Sequence, residues 1–144
     1  MELKIKRLRE NAVFPAYQTV GSAGADLAVC LDAPITIAAG ETVILYLGYA
    51  AAIPDGYVGL VFARSGTASK RGLAPANKVG VVDSDYRGEW RIPLHNHGAE
   101  PQTVQHGERI AQLVVVPVAQ AQFLETDELD ETARGGGGLG STGD

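Results

Sequence analysis

The chain changes sides every second residue. Apolar and polar side chains alternate, or β-branched residues run together, through LKIKRL (3–8), ITI (35–37), TVILYLGY (42–49), YVGLVFA (57–63), WRIPL (90–94) and RIAQLVVVPV (109–118). A period of two belongs to strands. Turn signals separate these runs: AAG before Glu41, IPDG at 53–56, NHG at 96–98 and QHG at 105–107. Many short strands at regular spacing predict an all-β sandwich or barrel. SGTASKRGLA (65–74) is the one fair helix candidate, short and ended by Gly72. No internal repeat and no interdomain linker interrupts the pattern, so one domain is expected.

VVVPV (114–118) reads in two directions. An unbroken apolar run suggests burial on both faces, while Pro117 would break the ladder of a central strand and suggests an edge or bulge. A strand of that kind fits a subunit interface or a core strand within one chain.

At 144 residues the chain can bury roughly 68–70% of its unfolded surface, enough for a real core. Cys30 is the only cysteine, so no internal disulfide forms and a reducing compartment fits. The opening MELKIKRLRE lacks the apolar stretch of a signal peptide, and no run approaches the ~20 residues of a membrane span. The expectation is a cytoplasmic protein with no membrane partner. The net charge is −5, with six acidic residues from Glu125 onward against Arg134 alone, which leaves the body neutral. A nucleic-acid surface needs clustered excess positive charge, and none is seen. An anion would have to bind a few focused cations, with or without a metal.

Five stretches carry chemistry. AGADLAV (23–29) puts Asp26 at the start of a strand, as a turn carboxylate or a metal-site carboxylate. ARSG (63–66) follows a strand and precedes the helix, so Arg64 and Ser65 would meet its amide end; the plainer reading is a Ser65 cap with a surface arginine. GVVDSDYRGE (80–89) offers Asp83 and Asp85 on one face if extended, as turn carboxylates, a general base or metal ligands. GERIAQLV (107–114) brings Glu108, Arg109 and Gln112 into an apolar strand. RGGGGLGSTGD (134–144) has the composition of a flexible tail, but glycine also lets backbone N–H groups approach phosphate, and Arg134 can grip it in two places. His95 and His97 in LHNHG could face one way, yet no third ligand stands at metal spacing.

Taken in order, AGADL, ARSG, GVVDSDYRGE, GERIAQL and RGGGGLGSTG resemble the five motifs of the trimeric dUTPase family, from residue 23 to residue 143. The resemblance implies a jelly-roll-like β barrel or sandwich and a homotrimer whose sites draw on all three chains. It implies hydrolysis of dUTP to dUMP and pyrophosphate with Mg2+. Residues 1–133 would form the body, including the acidic segment 125–131, and 134–144 a mobile arm that closes over the nucleotide. On this resemblance Asp83 activates the attacking water, and Tyr86 packs on deoxyribose and excludes a 2′-hydroxyl. Backbone groups at Gly80 and Val82 read uracil with Asn77 nearby. Arg64, Ser65, Gly66, Gln112 and Arg134 hold phosphates, joined by Gly140 and Ser141 of the arm. Asp26 serves the metal, directly or through waters. Leu139 stands where the family usually has a phenylalanine that stacks on uracil. The related dCTP deaminases would carry their chemistry on a glutamate and lack the DYRG pattern. A non-catalytic interaction protein on the same scaffold would be expected to lose Asp83 or Arg134, and both are present.

Overall fold

The computed structural model describes residues 1–138 and contains eleven strands and one helix among them. In chain order these are β1 (Lys4–Arg7), β2 (Ala25–Ala28), β3 (Ile35–Ile37), β4 (Thr42–Tyr46), β5 (Tyr49–Ala52), β6 (Tyr57–Ala63), α1 (Ser65–Arg71), β7 (Leu73–Pro75), β8 (Gly80–Val82), β9 (Arg91–Asn96), β10 (Gln102–Val104) and β11 (Arg109–Pro117). All pairings are antiparallel, in sheets ordered β2-β11-β6-β8, β4-β9-β7, β1-β5 and β10-β3. The sheets pack as a sandwich rather than a closed barrel. Leu27, Ile37, Leu45, Tyr49, Leu73, Leu94, Val104 and Ile110 come from different strands and all meet in one buried core. None of the described helices is long and apolar enough to cross a membrane.

The alternating runs become strands where expected, with one division. TVILYLGY is two strands, because Gly48 sits at φ 77 between β4 and β5. A side chain there would meet the Ala12 Cβ at 2.8 Å and the Cys30 Sγ at 2.9 Å, so the crossing needs glycine. The helix ends as read: Gly72 adopts φ 66 and returns its N–H to the last turn. Its start differs. Arg64, not Ser65, is the cap residue, extended at φ −86 and ψ 135, with no side-chain cap bond.

The valine run resolves both of its readings. β11 is central through Leu113, between β2 and β6, but from Val114 to Pro117 it pairs with β6 alone. Pro117 closes the strand where one side is already free, which is where a residue without an N–H is tolerated. Val114, Val115 and Val116 are only half-buried and Val118 is exposed, so burial on both faces is not achieved within one chain.

Candidate active site

Two hollows hold nearly all of the sequence candidates that fall among the described residues. The first has a volume of about 280 Å³ and is walled by Asn77, Gly80, Val82, Asp83 and Tyr86. Its floor is apolar: Leu27, Leu47, Val61, Pro75, Trp90, Ile92 and Pro93. It forms because β8 is a sheet-edge strand, paired to β6 on one side only through Gly80↔Val61 and Val82↔Gly59. An edge strand leaves a row of backbone N–H and C=O groups without ladder partners, which a planar polar ligand can use. Beyond Val82 the chain turns, and the Tyr86 N–H donates to the Asp83 carbonyl at 3.2 Å. The turn corrects one expectation. Asp83 leaves the strand and Asp85 lies within the turn, so the two do not share a strand face, and only Asp83 lines the hollow. The Asp83 side chain is exposed and makes no hydrogen bond or ion pair among the described residues, so its carboxylate is open to water. The Tyr86 hydroxyl donates to the Glu89 carbonyl at 3.0 Å.

The second hollow, about 560 Å³, brings Asp26, Arg64, Ser65, Gly66 and Gln112 together with Gln18, Ser22, Gly24, Thr67, Lys70 and Arg71. Its centre is a trio. Asp26, nearly buried, accepts from Arg64 Nε at 2.7 Å through one oxygen and from an Arg109 guanidinium nitrogen at 3.1 Å through the other. Arg64 also donates to the Arg109 carbonyl at 3.0 Å. One carboxylate thus aims two cations and leaves a net positive charge. Gln112 stands opposite Asp26 on β11, and its amide donates to the Ala63 carbonyl at 2.9 Å, at the end of β6. Gly24 makes room for it, since a Cβ there would lie 2.4 Å from the Gln112 Oε1. Arg71 also borders the hollow, but its guanidinium is tied to Glu108, Gln102 and the Thr103 carbonyl. Lys70 is exposed and makes no ion pair among the described residues. A lysine on a short helix carries no sequence signal of its own, so only the fold brings it to the hollow.

No group of three or more metal-binding side chains occurs among the described residues. Both Asp26 oxygens already accept from guanidinium groups, so a cation bound directly there would have to displace an arginine. A water-mediated contact fits better, because each oxygen keeps a second lone pair and Mg2+ holds several waters. His95 and His97 touch ring to ring at 4.3 Å, and the His95 Nδ1 is taken up with the Thr42 hydroxyl at 2.8 Å.

The two hollows have no lining residue in common. Arg134 lies in neither; it sits in an exposed stretch turned by Gly135 N–H to Thr132 and Gly137 N–H to Arg134. Before it, residues 118–133 form no strand, and Phe123, Leu124 and Leu129 stand exposed. Leu139, Gly140 and Ser141 lie outside the described residues.

Comparison with known proteins gives a consistent result. The dUTPase family model matches residues 10–143. A deoxyuridine 5'-triphosphate nucleotidohydrolase of Desulfotalea psychrophila is 50% identical over 137 residues, covering 95% of this chain and 91% of that protein. The protein of the same name from Burkholderia cenocepacia is 47% identical over 144 residues, covering 99% of this chain and 97% of its own length. Among solved structures, the Staphylococcus bacteriophage 80alpha dUTPase with dUPNHPP superposes with a TM-score of 0.90 at 27% identity, covering 99% of both chains.

Proposed function

The chain belongs to the dUTPase family, and we propose that it does what its relatives are named for: it hydrolyses dUTP, with the two hollows serving as halves of a shared site. The observation that carries this reading is the first hollow. An edge strand, a tyrosine and an open carboxylate border one apolar cleft sized for a nucleoside. Uracil lies along Gly80 to Val82, where backbone donors and acceptors read its edge, with Asn77 beside it. Tyr86 packs against the deoxyribose. Asp83 accepts a proton from the water that attacks the α-phosphorus, and pyrophosphate leaves. What qualifies Asp83 is reach: its carboxylate borders the cleft and is not engaged by another side chain among the described residues, so it can meet the attacking water.

The triphosphate needs cations, and the first hollow offers only Arg91 at its rim. Arg64, Ser65, Gly66 and Gln112 of the second hollow supply them, with Arg134, Gly140 and Ser141 from the arm. The absence of shared lining supports sites built between chains, as a homotrimer would build them. The half-exposed valines of β11 are the apolar surface such packing would cover. Residues 1–133 act as the body and 134–144 as the arm that shuts out water over bound nucleotide. Mg2+, when bound, screens the phosphate charge and orients the leaving group. Asp26 would meet it through bridging water, since both carboxylate oxygens already accept from arginines.

The test is pyrophosphate release from dUTP, dCTP, dTTP and UTP, with Asp83→Asn alongside. The expected result is turnover of dUTP far above that of the other three. Asp83→Asn should abolish it while nucleotide affinity stays within about tenfold, since the amide keeps the shape and cannot take the proton. Near-normal turnover by this variant would remove Asp83 from the mechanism.

A further inference from the structure

Tyr86 holds its ring by a single hydrogen bond of its own. Its hydroxyl reaches back to the Glu89 carbonyl, so the side chain folds over the loop that carries it. Beneath the ring lies Gly88. A Cβ at Gly88 would stand 2.4 Å from the Tyr86 Oη, 2.7 Å from Cζ and 3.0 Å from Cε2. Gly88 is not among the residues with positive φ, so the backbone there does not require glycine. What requires it is the space the ring occupies.

We propose that Gly88 is a positioning residue for nucleotide specificity: its missing side chain seats the Tyr86 ring, and any side chain at this position moves the ring and weakens discrimination against a 2′-hydroxyl. The inference rests on the placement of deoxyribose against Tyr86 given above.

The question is which part yields when the seat is filled. The backbone behind the loop is anchored at several points. The Trp90 N–H bonds to the Tyr49 carbonyl at 2.9 Å, and the Glu89 carboxylate accepts the Gly48 N–H at 3.1 Å. The ring is fixed by one hydrogen bond on a residue 40% exposed, so it has open space to swing into. A two-torsion side chain moves more cheaply than an anchored loop. The displaced part is therefore the ring, and the fold stays. Asp83, at the other end of the turn, keeps its place through the Tyr86 N–H, which the ring's movement does not break. Selectivity should suffer more than turnover.

The experiment measures kcat/KM on dUTP and on UTP for the unmodified chain, Gly88→Ala, Tyr86→Ala and the double variant. The unmodified chain should prefer dUTP by about a hundredfold or more, the discrimination a shaped pocket can reach against an added hydroxyl. Gly88→Ala should cut that ratio about tenfold or more while kcat on dUTP stays within about threefold. The double variant should be no less selective than Tyr86→Ala, because two changes acting through one ring do not add. An unchanged ratio in Gly88→Ala overturns the proposal, as does an additive double variant. Should Gly88→Ala unfold the chain, the double variant, with no ring to strike, should recover the normal thermal melt; failure to recover overturns it too. If Tyr86→Ala itself leaves the ratio unchanged, the placement of deoxyribose is wrong and the seat falls with it.

Discussion

Asp26→Asn tests what the buried carboxylate is for. The structure makes it a strut for two arginines. Its side chain is 9% exposed, against 28% for Arg64 and 48% for Arg109. The amide can still accept from one guanidinium but turns an N–H toward the other. Each hydrogen bond to a charged group contributes about 1.5–3 kcal/mol, and breaking a fully buried pair costs about 3–5 kcal/mol. Both arginines reach water and can re-solvate, so the loss should be discounted to about 2 kcal/mol. At this chain length that lowers the melting temperature by about 4–8 °C. The assay is a thermal melt in EDTA, followed by titration with a non-hydrolysable dUTP analogue. The melt should fall without any metal present, and the analogue should bind several-fold more weakly as Arg64 loses its aim. An unchanged melt in EDTA, with the defect appearing only in Mg2+-dependent binding, would refute the strut and make Asp26 a metal ligand.

Three further outcomes follow from the geometry. Mixing Asp83→Asn chains with chains truncated before Arg134 should restore activity that neither has alone, because assembled sites can take intact parts from different copies; light scattering that finds an active monomer would exclude shared sites. The Tyr49 hydroxyl is fully buried with no partner among the described residues, and burial pushes its pKa far up. Tyr49→Phe should therefore leave the urea midpoint unchanged or raise stability by up to about 1 kcal/mol, and a clear loss would reveal a partner such as an internal water. Leucine at 139 lacks the π-face whose stacking is worth about 1–3 kcal/mol per base, so Leu139→Phe should tighten analogue binding several-fold; equal affinity would mean the side chain does not cover the base.

Much of the fold was legible because period-two alternation is a local property. β3, β6 and β11 lie where their side chains alternate or branch. What was not legible depended on contacts distant in sequence. TVILYLGY reads as one strand, but Gly48 takes a left-handed step where Ala12 and Cys30 leave no room for a side chain. β10 and β7 are three residues long and exist because β3 and β9 offer them edges. The candidate residues were found as stretches, and the structure grouped most of them into two sets. Asp85 dropped out because a turn, not a strand, follows Val82. Arg109 gained a role because Asp26 reaches it across 83 positions of sequence, a distance no motif spacing encodes. Trp90 and Pro93 form the floor of the first hollow through packing alone.

The separation of the two hollows has a consequence for inheritance. In a site assembled from neighbouring copies, a chain carrying Asp83→Asn spoils the one site that uses its first hollow. On the proposed shared site, a chain altered at Asp83 and Arg64 together would spoil two sites, because its two faults would fall on different neighbours. Expressed beside the normal gene, the doubly altered allele should depress activity well below its share of the chains, and the singly altered one only in proportion. Under random mixing the same two lesions on separate copies cost as much, because every site still needs an intact Asp83 from one chain and an intact Arg64 from its neighbour.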